Sequence, residues 1–312
     1  MTEPPNALPA TDVNPTAADE STPPAASAGA VSGSSTTAST AASTGLGLGP
    51  ISAASTAAST AVGLGPISGV GLDVPGTAVA VGAHPDDVEF WCGATLARWA
   101  AAGAVVHVVI CTDGSKGTWD PHADTAALAE RRAIEARAAA ARLGTTGEVV
   151  LLGNVDGELV ADRATTERVA FHLRRLRPDV VLGHDPWKRY RLHPDHRAAG
   201  FLTVDGVVAA RDPHFFPQQG VAAHRPSELL LFEADEANHA EPGDPQWLDH
   251  KIGSLLTHES QLETTHFYRV GAPADRAAAR AAFADAERRK MAEAGRPFGL
   301  ALAEVFHRMS GM

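Results

Sequence analysis

The chain has 312 residues, of which 44% are hydrophobic and 20% charged, so it carries enough apolar material for a sizeable core. Its formal net charge of -11 argues against a protein that binds nucleic acid by neutralising phosphates, because that function needs a surplus of Lys and Arg. Cys92 and Cys111 are the only cysteines and both lie in apolar segments, which argues against a disulfide framework and favours a reducing compartment.

Residues 1–74 are dominated by Ala, Ser, Thr, Gly and Pro, a composition that buries too little apolar surface to offset the entropy of ordering the chain. We expect a disordered low-complexity extension there and one folded domain over residues 75–312. The N-terminus shows neither the basic nor the apolar region of a signal peptide, and no stretch reaches the roughly 18 apolar residues of a spanning helix. We therefore predict a cytoplasmic protein without a membrane partner.

After the extension, short apolar runs alternate with longer Ala-rich segments of helical period, a pattern typical of parallel strands covered by helices on both faces. The predicted strands are Val79–Ala83, Val105–Cys111, Glu148–Leu152, Asp179–Gly183 and Glu228–Phe232. The predicted helices are Gly93–Ala102, Thr125–Leu143, Ala164–Leu176, Pro194–Ala210, Pro245–Thr257 and Ala274–Ala294. The order predicts an α/β fold with a mostly parallel sheet.

Two segments that follow predicted strands are dense in metal-binding residue types. Residues 84–87 (His-Pro-Asp-Asp) follow the first strand, and residues 193–196 (His-Pro-Asp-His) follow the fourth. In a parallel sheet both places lie beyond the carboxyl ends of the strands, where ligands bind. A catalytic zinc takes three protein ligands from His, Asp or Glu and keeps a fourth position for water. Together the segments supply such a set: His84, Asp87 and His196.

The remaining residues of the two segments suit hydrolysis of an amide, which needs a carboxylate to take the proton of water and a group to stabilise the oxyanion. Asp86 stands beside a ligand and suits the first role. His193 lies three residues before His196 and suits the second, and we expect Asp195 to orient and charge it. His184, directly after the fourth strand, is either a site residue or a strand-end hydrogen-bonding group.

The two motifs and their order resemble the LmbE-like or PIG-L family of zinc-dependent de-N-acetylases. The resemblance runs from about residue 79 to residue 261 and takes in further segments: Thr112-Asp113-Gly114, the helix 131–144, Asp156-Gly157, Lys251 and His258-Glu259-Ser260-Gln261. It implies a Rossmann-like three-layer α/β/α fold. It also implies the same roles as the chemistry: His84, Asp87 and His196 as metal ligands, Asp86 as general base and His193 as the electrophilic or acid histidine.

The resemblance further implies an enzyme that hydrolyses a linear amide, removing an acetyl or other acyl group from an amino sugar or a related small glycoside. Zn²⁺ is the expected metal, with another divalent metal such as Fe²⁺ as the alternative. A larger acyl group or a thiol conjugate is the alternative substrate. A non-catalytic α/β ligand-binding module is the alternative class, and it predicts a Gly-rich loop where the chain has His-Pro-Asp-Asp. The sequence is compatible with a homo-oligomer.

Candidate substrate contacts flank the two motifs. Members of the family hold the substrate with an Arg on the second helix, and we place Arg131 in the candidate set with Arg132 as an open alternative. Asp156 lies in a family segment after the third strand. Tyr190 belongs to a basic and aromatic loop directly before the second motif, where it would form a substrate rim. His258 either lines the cavity or packs.

Overall fold

The structure, a computed structural model, describes residues 69–266 and 273–312. The strands are β1 (Gly69–Val70), β2 (Thr77–Gly82), β3 (Val105–Thr112), β4 (Val149–Asn154), β5 (Val180–His184), β6 (Glu228–Phe232), β7 (His239–Pro242) and β8 (Ala303–Ser310). The helices are α1 (Asp87–Ala101), α2 (Thr125–Arg142), α3 (Arg163–Leu176), α4 (Pro194–Arg211), α5 (Pro245–Leu255) and α6 (Pro273–Gly295). No helix in these two ranges has the length and apolar character needed to cross a bilayer.

The strands form one sheet in the order β1-β7-β8-β6-β5-β2-β3-β4. Neighbouring strands run parallel except at β8, which is antiparallel to both β6 and β7. This arrangement confirms the predicted α/β class with its mostly parallel sheet. All five predicted strands are present, and β6 has the predicted bounds.

The sheet is covered on both faces because alternate residues of a strand point to opposite sides. On β2, Val79 and Val81 pack into a core with residues of α3 and α4, whereas Ala78 and Ala80 pack with residues of α1 and α2. Both sets are fully buried. A strand buried on both faces is apolar throughout, which is the pattern that the sequence shows. The three-layer arrangement is therefore confirmed.

Three strands were not predicted, and one of them lies before the predicted start of the domain. Gly69–Val70 pairs with His239–Ala240, so ordered structure begins earlier than residue 75. The predictions for residues 1–68 lie outside the described residues. The final apolar segment forms β8, which inserts between β6 and β7 at the far side of the sheet.

The order of the strands fixes where a ligand can bind. From β2 the chain proceeds outward through β3 to β4, and from β5 it proceeds in the other direction to β6. Adjacent helices therefore leave the sheet on opposite sides between β2 and β5, and a crevice opens there at the carboxyl ends of the strands. The two motifs of the sequence follow β2 and β5, so the fold brings both to this crevice.

Candidate metal centre

The loop after β2 turns sharply and aims two adjacent carboxylates in different directions. Asp86 has a φ of 118°, a conformation that a residue with a side chain rarely adopts, and Asp87 is the first residue of α1. The backbone N–H of His84 donates to Oδ2 of Asp87 at 2.7 Å, which closes the loop on itself. The turn therefore holds His84 and Asp87 together and directs the carboxylate of Asp86 away from them.

The second motif forms the start of α4. His193 is the N-cap, and the N–H of Asp195 donates to its Nδ1 at 3.3 Å. Because Nδ1 accepts, the neutral ring carries its proton on Nε2. The ring stacks on that of His196, with centroids 5.0 Å apart and 25° between the planes. Burial, together with the charges of His84 and His196, lowers the pKa of His193.

His84, Asp87 and His196 converge at the crevice. Nδ1 of His84 lies 3.4 Å from Oδ2 of Asp87, and Nε2 of His196 lies 3.4 Å from its Oδ1. The two imidazole centroids are 5.2 Å apart. Three sets of side chains here have ligand atoms within 4.8 Å of one another: His84 with His193 and His196, Asp87 with His184 and His196, and His84 with Asp156 and Asp195. His84 and His196 each belong to two of these sets, and Asp87 belongs to one of the sets that contain His196.

The second nitrogen of each converging imidazole faces a carboxylate. Nε2 of His84 lies 3.2 Å from Asp195 and 3.1 Å from Asp156. Nδ1 of His196 lies 3.7 Å from Glu233, and Nη1 of Arg191 lies closer to that nitrogen, at 2.9 Å. Burial disfavours a charged His84, but its carboxylate neighbours raise its pKa well above the usual value. Histidines that bind metals normally have a carboxylate, a carbonyl or water at the other ring nitrogen, and His84 has this arrangement, which fits a divalent cation.

His184 and Glu233 complete the back of the centre. His184 is fully buried, with Nε2 3.2 Å from Asp87 and Nδ1 2.8 Å from Glu233. Burial alone would raise the pKa of both carboxyls, but His196 and His184 hold that of Asp87 well below its usual range. The same two histidines lower the pKa of Glu233 to about 2. His184 therefore contacts the candidate ligand Asp87 and also lies 3.4 Å from the N–H of Ala83 at the end of the neighbouring strand. Glu233 was missed because one Glu after a strand carries no motif.

Asp195 does not orient His193 as we expected. Its carboxylate accepts the N–H of Gly157 at 2.6 Å and that of Leu159 at 3.2 Å, and it contacts His84. Residues two apart at the start of a helix point in different directions, which explains why the carboxylate turns away from its neighbour in sequence. The backbone N–H of Asp195, rather than its side chain, is what contacts His193.

Both motifs line a cavity of about 420 Å³, which also takes in Lys116, Arg132, Asp156 and Gln261. The two arginines left open by the sequence separate clearly. Arg132 is 3% exposed and donates to the carbonyls of Pro85 and Gly114, whereas Arg131 pairs with Glu135 and Glu259 at the surface. Arg131 is therefore not on the cavity wall.

The other candidate contacts divide in the same way. Asp156 lies on the cavity wall. Tyr190 is 95% exposed and lies outside that wall. His258 is fully buried, with Nε2 3.7 Å from Glu89, so it packs beneath the site and does not line the cavity.

Replacing Arg132 with Lys should lower kcat/KM for the substrate by about 100-fold, because a shorter hold on the loop carbonyls misplaces Asp86 by a fraction of an ångström or more. Nη2 of Arg132 lies 3.5 Å from Oδ2 of Asp86. The same substitution at Arg131 should leave kcat/KM unchanged. Steady-state kinetics of both variants, with thermal unfolding to confirm that each is folded, make the comparison, and equal effects at the two positions would contradict it.

The chain is similar to several proteins that are named deacetylases. The PIG-L family profile, described as GlcNAc-PI de-N-acetylase, matches residues 79–207. A diacetylchitobiose deacetylase of Thermococcus kodakarensis is 33% identical over 183 residues, which cover 57% of this chain and 67% of that protein. A 1D-myo-inositol 2-acetamido-2-deoxy-alpha-D-glucopyranoside deacetylase of Saccharopolyspora erythraea is 31% identical over 243 residues, which cover 62% of this chain and 80% of that protein.

Among solved structures, the chain is similar to the N,N'-diacetylchitobiose deacetylase from Pyrococcus horikoshii. The TM-score is 0.66 at 27% identity, and the match covers 76% of this chain and 84% of the other. With several further deacetylases of the inositol glycoside, the alignment covers between 46% and 57% of their length.

Proposed function

The chain belongs to the PIG-L family, and from that premise we propose that it is a metal-dependent N-deacetylase that releases acetate from an N-acetylated amino sugar or a related small glycoside. The observation that carries the proposal is the convergence of His84, Asp87 and His196 on one wall of the cavity that Asp86 and His193 also line. The relatives' printed names support the choice of an acetylated amino sugar as the substrate class.

We propose that His84, Asp87 and His196 would hold the metal, with Zn²⁺ as the first candidate and Fe²⁺ as the alternative. When bound, such a metal supplies Lewis acidity, polarising the amide carbonyl and making a water molecule easier to deprotonate. Asp87 is proposed as one ligand because its carboxylate lies between the imidazoles of His184 and His196, with one oxygen directed at each ring. The carboxylates of Asp156 and Asp195 behind His84 would fix the tautomer of that ring.

Asp86 acts as the general base in this proposal. It takes a proton from water while the water oxygen forms a bond with the carbonyl carbon, and the C–N bond then breaks as the amine receives a proton. Acetate and the free amino sugar are the products. Arg132 keeps the carboxylate in place through the Pro85 carbonyl of the same loop. The turn at Asp86 orients this carboxylate separately from the ligand Asp87.

His193 stabilises the negative charge that develops on the carbonyl oxygen. Its Nε2–H is free to donate into the cavity because its Nδ1 accepts the N–H of Asp195. The lowered pKa keeps the ring neutral near pH 7, and a neutral imidazole still donates one hydrogen bond. Lys116 and Asp156 on the same cavity wall offer a cation and a carboxylate for the hydroxyl groups of a sugar.

The metal-loaded protein should release acetate from N-acetylglucosamine, diacetylchitobiose or the N-acetylglucosaminyl inositol in an assay that quantifies acetate and free amine together. Amides of glucosamine with longer acyl chains and an acetylated thiol conjugate, run beside them, test the alternative substrates. If the protein hydrolysed the longer-chain amides or the thiol conjugate and not the acetylated sugars, the substrate would belong to one of those alternative classes. No hydrolysis of any of them would favour a non-catalytic ligand-binding module. The cytoplasmic location stays a prediction.

A further inference from the structure

One oxygen of Asp86 is buried without a hydrogen bond. Oδ2 has no hydrogen-bond partner among the described residues, although Asp86 is only 3% exposed. A buried carboxylate oxygen is costly unless a donor approaches it, so an unpaired oxygen on the proposed general base needs an explanation. The side chains that face this oxygen indicate which donor it has.

Two side chains approach Oδ2 of Asp86. Nη2 of Arg132 lies at 3.5 Å and Nε2 of His266 lies at 3.8 Å. The same Arg132 nitrogen already donates to the carbonyl of Pro85. His266, in contrast, is 5% exposed and neither of its ring nitrogens has a partner among the described residues. Arg132 keeps spare N–H groups on Nη2 and Nε, but its guanidinium is already held by the carbonyls of Pro85 and Gly114, whereas the described residues give the ring of His266 no acceptor other than Asp86.

Aromatic neighbours hold the His266 ring in this direction. Phe283 of α6 stacks on it, with centroids 5.5 Å apart and 18° between the planes, and Phe90 of α1 meets it edge-on at 4.9 Å. A ring between two such neighbours has little rotational freedom. Catalytic hydrogen bonds are often long before the substrate binds and shorten in the complex, so the 3.8 Å separation lies within reach of a small closure.

We propose that His266 is a positioning residue for Asp86: its Nε2–H donates to Oδ2 and thereby holds the carboxylate with the other oxygen directed into the cavity. The inference rests on the proposed function, because it gives His266 a role through the base. The bond needs only a neutral ring with its proton on Nε2, a form that histidine readily adopts. A ring that served only as packing between Phe90 and Phe283 would not need a nitrogen.

Two substitutions of His266 distinguish a positioning role from a packing role, because the two roles predict opposite orders for the kcat values of the variants. His266→Phe keeps the aromatic packing and removes the N–H, whereas His266→Gln sacrifices the packing and keeps an amide N–H close to the position of Nε2. A positioning role predicts that kcat falls about 10- to 100-fold in the Phe variant, with KM little changed, and that the Gln variant is faster than the Phe variant. A packing role predicts that Phe is the faster and more stable of the two, and that order overturns the proposal.

A double-mutant cycle that combines His266→Phe with Asp86→Asn strengthens the test. If His266 acts through Asp86, the Phe substitution lowers kcat in the parent protein but causes little further loss in the Asp86→Asn background. Independent, additive losses would count against the proposal. The same pair of substitutions at His214, which is exposed in the turn that follows α4, is the matched control and should leave kcat unchanged.

A readout without turnover keeps this inference separate from the proposed function. In protein labelled with ¹⁵N-histidine, the imidazole N–H of His266 should exchange slowly with water, its signal should be absent in His266→Gln, and it should shift in Asp86→Asn. These results would support the bond even if no acetylated sugar were hydrolysed, which would refute only the function. An N–H signal that does not respond to Asp86→Asn refutes the bond itself.

Discussion

Asp86→Asn lowers kcat for amide hydrolysis by about 10²- to 10⁴-fold, the usual contribution of a general base, while the protein keeps its metal. Asn fills the same space but cannot accept the proton from water. The metal stays because the candidate ligands are His84, Asp87 and His196, and the sharp turn aims Asp86 away from them. Acetate release gives kcat, and elemental analysis of the same samples gives the metal content.

The control for this substitution is Asp249→Asn on the exposed side of α5, which should match the parent protein in both measurements. Full turnover in Asp86→Asn would remove Asp86 from the role of base. Loss of the metal along with turnover would instead indicate that Asp86 belongs to the ligand set. Since KM reports binding rather than proton transfer in the simplest case, we expect it to change far less than kcat.

The sheet was predictable because its strands are buried on both faces. β2, β3 and β5 are almost continuous runs of Val, Ala, Ile and Leu between turn residues, and such runs have few other uses in a chain of this composition. β7, with the sequence His-Ala-Glu-Pro, carries no such signal. It is a strand because β1 and β8, from distant parts of the sequence, pair with it on either side, and the local sequence does not reveal such pairing.

The start of α1 shows the limit of helix propensity as a guide. The helix begins at Asp87, six residues before the predicted start at Gly93. The intervening residues include Val88, Phe90, Trp91 and Cys92, which are poor helix formers. Val88 and Cys92 are buried against the sheet, and this packing outweighs the propensity of the isolated segment.

At the site, sequence reasoning found the residues that directly follow β2 and β5 because the topology makes those positions meet. It did not find Glu233 or His266, whose relevance comes from packing alone. Glu233 sits one residue beyond β6, with a φ of 61°, and reaches the centre through His184. His266 reaches Asp86 from a segment far along the chain. A contact between distant segments needs the fold before it can be inferred.

His196→Ala should abolish tight metal binding and, with it, turnover. Removing one of three protein ligands leaves His84 and Asp87 alone, and two ligands fall short of the three that a catalytic zinc site uses. The parent protein should also gain stability on adding zinc, by about 4 kcal/mol when free zinc exceeds its Kd 1,000-fold, because the metal binds the folded state. The variant should show no such gain. Competition with a chromophoric chelator measures affinity, and thermal unfolding with and without zinc measures the gain.

A substitution of intermediate effect tests whether the carboxylate of Glu233, which lies behind His196, contributes to metal affinity. Glu233→Gln keeps the shape of the side chain but removes the charge beside His184 and His196, and the loss of such a partner weakens metal affinity by about 10- to 100-fold. We therefore expect Glu233→Gln to fall between the parent protein and His196→Ala in both zinc affinity and zinc-dependent stability.

If His196→Ala bound zinc as tightly as the parent protein, the metal would have to lie elsewhere in the crevice, at a set of ligands that does not include His196. Among the residues that the structure describes, only the set of His84, Asp156 and Asp195 meets that condition, so the next variant would be Asp156→Asn, and the proposed metal position would move to that set.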